Sequence, residues 1–415
     1  MSDAPKPTLS RFFVVNQWLP PDSAPTAVLA GEIVDLLLEA QQTVVLISRA
    51  RARQSRDPRL AALTHFVTDE TESGALGIMG KLRAWPQFAL AAYRTLRREL
   101  RAHDTLLVCS DPPLFYLVAV FAARGRGVRV IHWSQDVYPD IVEQHSRWPM
   151  ITRFALAPLH WIRRLALRRI DTTVVLSESM HRRLVAAGAR TQVIANWARD
   201  DRIQSRAVRD SNLRRAHFSD QDFVLAYSGN LGRVHEFETL LAAACALRTD
   251  SHIHFLIVGN GPRLTRLMQG VVAEKLKNFR FLPLQPESQL ADSLAAGDAH
   301  FVSLQPQFEG LVLPSKLYSI CAVGRAVVFC GDAHGEVATF IGTHNFGVAA
   351  AVHDAAALAN AIRALAADAV MVERMGHNAR HALDCAHARG SALAKWRSVL
   401  LPKATGSAPT QNDRA

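Results

Sequence analysis

Short apolar, β-branched runs alternate with longer stretches in which apolar residues recur every three or four positions, from residue 11 to residue 400. The first pattern fits strands buried on both faces, and the second fits amphipathic helices. In the first half the runs predict strands at 11–19, 43–49, 105–110, 128–133, 172–177 and 192–195. Helices are predicted at 26–40, 81–102, 113–124, 149–169 and 178–187. Residues 199–220 break the rhythm with a dense set of charges and no strand, and read as a connection between domains. The alternation then restarts, with strands at 223–228, 253–258, 280–283, 300–304, 326–330 and 347–350. Helices are predicted at 236–248, 262–274, 286–295, 314–323 and 335–341, with two or three more between 355 and 400. This is an α/β chain of two Rossmann-like, doubly wound domains, 1–198 and 221–385, followed by a helix at 386–402 and a polar, unstructured tail at 403–415. Such sheets bind ligands beyond the carboxyl ends of their strands, so the cleft between the two units is the natural site.

Composition narrows the class. Of 415 residues, 49% are apolar and 20% charged, which excludes disorder of the whole chain. The 48 basic and 37 acidic side chains leave +11. Residues 1–200 carry 26 basic and 18 acidic groups (+8), and the rest carry 22 and 19 (+3). An Arg-rich proteome would explain this, as would an acidic partner, either nucleic acid or an anionic membrane surface. The chain carries no recognisable helix-turn-helix, zinc finger or aromatic single-strand platform, which leaves nucleic acid the minor alternative. The five cysteines are scattered without a C-x-x-C pair, so buried, reduced thiols are expected and no structural zinc site is readable. The first ten residues lack a signal-peptide core, and the longest apolar run, 114–123, is too short to span a bilayer. A cytoplasmic location is therefore expected.

Three motifs in the second unit carry candidate chemistry. Tyr227-Ser228-Gly229-Asn230-Leu231-Gly232-Arg233-Val234-His235 joins the unit's first strand to a helix. Its glycines permit close backbone approach, the helix N-terminus favours phosphate, and Arg233 offers a forked cation. A tight turn with a solvent-facing Arg is the plainer alternative. Val258-Gly259-Asn260-Gly261-Pro262 is explained by a turn with Pro262 opening a helix, and lining a nucleotide pocket is its alternative. In Glu309-Gly310-Leu311-Val312-Leu313-Pro314-Ser315-Lys316-Leu317-Tyr318-Ser319, Lys316 falls in the first helical turn. A cation there opposes the helix dipole at a cost of up to about 1 kcal/mol, which an anionic ligand would offset. A solvated surface lysine is the alternative.

With these motifs in order, most of residues 11–400 resembles the retaining GT-B glycosyltransferases of family 4. The first unit adds Asn16-Gln17-Trp18-Leu19-Pro20-Pro21-Asp22-Ser23-Ala24-Pro25-Thr26, His132-Trp133-Ser134-Gln135-Asp136-Val137-Tyr138-Pro139-Asp140 and Ile194-Ala195-Asn196-Trp197-Ala198. The set is similar to the branch that transfers fucosaminyl, fucosyl or related residues in bacterial capsule, O-antigen and exopolysaccharide assembly. The resemblance implies transfer from a nucleotide diphosphate sugar, a UDP-sugar favoured over a GDP-sugar, to a lipid-linked glycan, with no metal or other cofactor. It also implies that the helix at 386–402 packs back toward the first domain.

The implied donor-binding positions are Gly229, Asn230, Gly232, Arg233, His235, Gly259, Gly261, Gln285, Gly310, Pro314, Ser315, Lys316, Leu317 and Ser319. Ser23, Thr26 and Gln135 would meet the acceptor, while Asp136, Glu309, Lys316 and Arg233 would serve the chemistry. A turn or helix-capping role competes for Asp136. The chain departs from the family pattern at several points. Asn230 stands where the family has an Arg, and His235 near its Lys. Of the family's paired glutamates, one falls on Ser319 and the other near Leu311, two residues from Glu309. These departures admit a catalytically weakened partner subunit, and the fold alone admits a sugar-nucleotide epimerase.

A lipid-linked acceptor requires a membrane face. Segment 147–169 holds six Arg, no acidic residue, and Trp148, Phe154 and Trp161; segment 81–101 adds five Arg and Lys81. Basic amphipathic helices with Trp and Phe suit the surface of anionic lipid on the inner face of the cytoplasmic membrane. Ordinary sheet-covering helices are the alternative.

Overall fold

A computed structural model describes residues 11–19, 25–49, 63–67, 78–198, 203 and 208–401. They form two all-parallel sheets. The first contains β1 (Arg11–Val15), β2 (Thr43–Ser48), β3 (Thr64–Val67), β4 (Thr105–Cys109), β5 (Arg129–Ser134), β6 (Thr172–Val175) and β7 (Thr191–Val193). Its order is β3-β2-β1-β4-β5-β6-β7. The second contains β8 (Phe223–Asn230), β9 (Ile253–Asn260), β10 (Phe279–Leu282), β11 (Ala299–Ser303), β12 (Ala326–Gly331) and β13 (Gly347–Ala351), ordered β10-β9-β8-β11-β12-β13. Each sheet reverses its order beside its first strand, which opens a crevice there. Every residue of β4 and β12 is buried, so these strands read as unbroken apolar runs rather than alternating ones. The sequence pattern missed β3: Thr-His-Phe-Val is a four-residue edge strand without an apolar run.

The helices of the first domain are α1 (Pro25–Glu39), α2 (Ile78–Glu99), α3 (Phe115–Ala123), α4 (Asp140–His145), α5 (Pro149–Ala155), α6 (Ala157–Leu167) and α7 (Glu178–Ala186). The single helix predicted over 149–169 is therefore two. Pro158 has no N–H to give to the carbonyl four residues back, so the chain breaks at Leu156 and restarts. The second domain carries α8 (Asn212–His217), α9 (Glu238–Ala246), α10 (Leu264–Ala273), α11 (Leu290–Ala295), α12 (Lys316–Val323), α13 (Glu336–His344), α14 (Ala355–Ala367) and α15 (Ala369–Ala386).

The predicted connection 199–220 needs correction. Its second half is part of the second domain. Ser211 caps α8 by accepting from the N–H of Arg214 at 3.1 Å, and buried Arg214 reaches Asp298 at 2.9 Å. Residues 199–202 and 204–207, like the predicted tail at 403–415, lie outside the described residues.

The last helix, α16 (Arg389–Leu400), packs on the first domain. Trp396 is fully buried with its ring centroid 4.7 Å from that of Trp133, and Arg389 meets Glu32 at 2.6 Å. Arg129 donates to the carbonyls of Val399 and Leu400. One continuous apolar core joins the domains beneath the cleft, linking Val137 and Ile141 with Phe308, Leu311 and Leu317. No single helix among the described residues is long and apolar enough to cross a membrane. The bent series α14–α16 passes on length and composition, but its Leu358, Ile362, Leu383 and Trp396 are buried in the protein.

Candidate active site

The site is built on the carboxyl ends of β8 and β9. Their parallel register runs on through Gly229↔Gly259 and Asn230↔Asn260, two residues beyond the predicted strand ends. Glycine is required here by space. A Cβ at Gly259 would sit 2.0 Å from the Gly229 carbonyl oxygen. At Gly229 (φ +126°) it would sit 2.6 Å from Cε of Lys316. The strand end thus yields a channel through which the Lys316 side chain passes.

Lys316 opens α12 and ends among electron-rich groups. Its Nζ lies 3.2 Å from the carbonyl oxygen of Asn230, 3.3 Å from Nε2 of His235 and 5.1 Å from the Tyr227 ring centroid. His235 is buried and its Nδ1 lies 2.6 Å from the Ser303 carbonyl oxygen. A carbonyl only accepts, so Nδ1 carries the hydrogen and the Nε2 lone pair faces the ammonium. Burial, with Lys316 beside it, pushes the imidazole down to about 3, which keeps it neutral. Burial pushes Lys316 itself down to about 8. Among the described residues, no carboxylate within ion-pair distance of Lys316 offsets its charge.

A cavity of about 300 Å3 opens above this cluster, between the domains. The second domain lines it with Gly232, Arg233, Val234, His235, Pro314, Ser315 and Lys316; the first supplies Asp136, Tyr138, Ile141 and His145. The Val137 N–H donates to the Leu311 carbonyl across the cleft at 2.9 Å and holds the two walls together. The Asp136 carboxyl is sunk in its wall, and burial, reinforced by the charge of Asp111, pushes it up to about 7. Arg233 is exposed at the mouth, and its backbone carbonyl is held by Arg263 and Gln305.

Glu309 lies elsewhere. It lines a second cavity of about 670 Å3, also between the domains, which shares Leu313 with the first. Its carboxylate accepts from the Glu336 N–H at 2.8 Å and so caps α13. The Glu336 carboxylate in turn accepts from Glu178 N–H at 3.1 Å and Ser179 N–H at 3.2 Å, capping α7 of the first domain. Burial outweighs the N–H donor and raises the Glu309 pKa, with Glu336 and Asp332 adding to the rise. Gly310 (φ +70°) follows, tight against Ser179.

A family model described as Glycosyltransferase Family 4 matches residues 27–202, and one described as Glycosyl transferases group 1 matches residues 208–382. The chain is of the GT-B glycosyltransferase family 4 type. A relative from Escherichia coli K12, named for colanic acid biosynthesis as the glycosyl transferase WcaI, is 32% identical over 60% of this chain and 63% of its own. The match thus spans under two thirds of that relative's length. The sucrose-phosphate synthase of Thermosynechococcus elongatus superposes with a TM-score of 0.73 at 15% identity, over 94% of this chain and 98% of the synthase. HepE of Anabaena, solved with UDP-glucose, gives 0.70 at 15% identity, over 94% of this chain and 99% of its own. These likenesses establish the two-domain GT-B fold.

On this family 4 scaffold the remaining expected positions separate. Gly232, Pro314 and Ser315 line the smaller cavity with Lys316, whereas Gly259 and Gly261 do not and serve the strand-end turns. Leu317 lies in the wall of the larger cavity, and Ser319 lines neither. Asn230 contributes its backbone carbonyl to Lys316. Gln285 donates to the Pro283 carbonyl at 2.8 Å and lines neither cavity. Gln135 was expected to meet the acceptor, but its amide is paired reciprocally with that of Asn196 at 2.9 and 3.3 Å, both buried. Thr26 is half-buried in the first turn of α1, and Ser23 lies outside the described residues. The sequence assigned no role to Tyr227, Ser303 or Glu336. Tyr227 opens the glycine motif, but nothing local to Ser303 or Glu336 marks them. Among the described residues, no three His, Cys, Asp or Glu side chains converge as a metal-binding set.

Proposed function

We propose that the protein is a retaining glycosyltransferase. It would move a sugar from a nucleotide diphosphate sugar, UDP-linked in preference to GDP-linked, to a lipid-linked glycan in bacterial surface-polysaccharide assembly. One observation carries the reading: a half-buried ammonium with no compensating carboxylate among the described residues, aimed into a cavity shared by both domains. A diphosphate supplies the missing charge. The mechanism follows from where charge develops. The bond from the sugar's anomeric carbon to the diphosphate oxygen breaks, and one forms to the acceptor hydroxyl oxygen. Lys316 and Arg233 stabilise the leaving diphosphate, assisted by backbone N–H groups near Gly232 and Ser315. Asp136, poised near neutrality, orients the acceptor hydroxyl and takes its proton.

The lipid-linked acceptor and the inner-membrane surface belong to the same proposal. Helix α5 has no buried residue, and Trp148, Met150, Ile151, Phe154 and Trp161 stand exposed beside Arg147, Arg153 and Arg164. An apolar face flanked by cations fits anionic lipid. Flotation with vesicles containing phosphatidylglycerol tests this part: salt-sensitive co-flotation supports it, and its absence overturns it. A thermal-shift screen of UDP-, GDP- and dTDP-sugars tests the donor, because a ligand that binds the native state raises its melting temperature. Stabilisation by a UDP-sugar, followed by sugar transfer to lipid extracts, is the expected result. No response to any nucleotide would overturn the assignment, and release of an epimerised sugar without acceptor would redirect it.

A further inference from the structure

The exposed helix pair is fastened to the segment that follows the candidate base. On α6, Trp161, Ile162 and Arg164 face outward while Arg163 points in and is only 4% exposed. The Arg163 guanidinium donates to the Tyr138 carbonyl oxygen at 3.1 Å and to the Asp140 carboxylate. Arg183 of α7 approaches the other oxygen of that carboxylate at 3.7 Å. One turn earlier on α6, His160 meets the buried Glu143 of α4. These contacts grip residues 138–143, which begin two residues after Asp136. The free end of the pair is tied as well: the Thr152 hydroxyl is 2.6 Å from that of Ser146, which also accepts from the Trp148 N–H. A buried ion pair adds little net stability over an apolar packing of equal volume, because both charges lose their water. What it does provide is a fixed direction: Nη1 of the planar guanidinium engages a carbonyl and a carboxylate together.

We infer that Arg163 is a positioning residue that makes the membrane-facing helices and the loop bearing Asp136 one rigid unit. Docking on lipid then sets the height of the candidate base above the surface. This rests on the membrane reading above and goes beyond it. A glycan carried by a lipid is held at a fixed distance from the headgroups. A base mounted on the docking element itself stays in register with that acceptor whatever the rest of the enzyme does.

Hydrogen–deuterium exchange of the full chain, with and without vesicles of phosphatidylethanolamine and phosphatidylglycerol, tests the inference without any substrate. In the wild type, vesicles should slow exchange both at 148–162 and at 136–145. In Arg163→Met they should slow it at 148–162 as before, but change it at 136–145 by less than about twofold. Arg163→Lys, which keeps the charge and its donors on a single nitrogen, should recover part of the effect. Protection confined to 148–162 in the wild type, or undiminished transmission in Arg163→Met, overturns the inference and leaves the membrane reading standing. No protection at 148–162 overturns both. If Arg163→Met does not fold, the wild-type comparison and Arg163→Lys still decide.

Discussion

The two cavities between the domains share a wall residue and little else. The smaller one has cations that no carboxylate pairs among the described residues: Lys316 and Arg233 lie over a neutral imidazole, and the Asp136 carboxyl stands in the opposite wall without a salt bridge to either. The larger one has anions that are already satisfied. Glu309 caps α13, Glu336 caps α7, and each carboxylate rests on N–H groups at the positive end of a helix. A charged group whose partner is present in the fold explains itself by architecture. One whose partner is absent points outside the chain. On that criterion the smaller cavity is the place for an anionic ligand. The conspicuous Glu309-Gly310 pair belongs first to the joint between the domains.

The sharpest way to break this comparison is to remove the unpaired cation. Lys316→Ala should lower transfer by about 100- to 1000-fold, the range for losing a donor to a developing oxyanion. Lys316→Met should do likewise while leaving the ligand-free protein as stable or more so. Desolvation has lowered the lysine's folded pKa from 10.5 to about 8. Folding is therefore penalised below about pH 8, and the penalty disappears as pH rises toward 10.5. Thermal melts with and without UDP measure both effects. A melting point well below wild type would make Lys316 a strut. Arg233→Ala, at the exposed mouth, should cost more than about tenfold with no change in stability.

Much of this was legible in the chain. The twelve predicted strands lie where the structure has them, because strands buried on both faces must be written as apolar runs. Lys316 stood out because a cation at a helix start needs a reason. The partners were not legible. The Ser303 carbonyl that fixes the His235 tautomer is 68 residues away in sequence, and backbone carbonyls carry no residue signature. The partner of Glu309 was not legible either. Its nearness to the place of one of the family's paired glutamates suggested a role in the chemistry, while in the ligand-free fold its carboxylate accepts from the N–H of Glu336, 27 residues on. The same holds for Gln135, whose partner Asn196 lies just beyond the end of another strand.

The next test concerns the wall opposite Lys316. Asp136→Asn should reduce kcat by about 100-fold or more, in the range for losing a general base, while UDP affinity stays within about twofold. The raised carboxyl also predicts a pH profile. The deprotonated form acts as base, so kcat should climb as pH rises through about 7. UDP affinity should fall as pH rises through about 8, where Lys316 of the free protein loses its proton. A transfer optimum between these limits follows. Lys316→Ala should abolish the alkaline loss of affinity, and calorimetry in buffers of differing ionisation heat should show proton uptake by the wild type near pH 8.5 or so. An alkaline limb that survives in Lys316→Ala would belong to another group and would remove the lysine from the diphosphate.

The smallest effects belong to the anionic cavity. Glu336→Gln keeps an acceptor at the start of α7 but removes the charge, and Glu309→Gln does the same at α13. A carboxylate at a helix N-terminus contributes about 0.3–1 kcal/mol, so each change should lower stability by about that much. Glu336→Gln should lie at the larger end because its two N–H donors belong to the other domain and the change loosens the joint as well. UDP affinity should be nearly unaffected, since neither carboxylate lines the cavity of Lys316. Denaturant melts and UDP titrations separate the outcomes. If Glu309→Gln instead costs transfer tenfold at full stability, its carboxylate leaves α13 when substrate binds. The distinction between a satisfied anion and an unsatisfied cation would then hold only for the ligand-free enzyme.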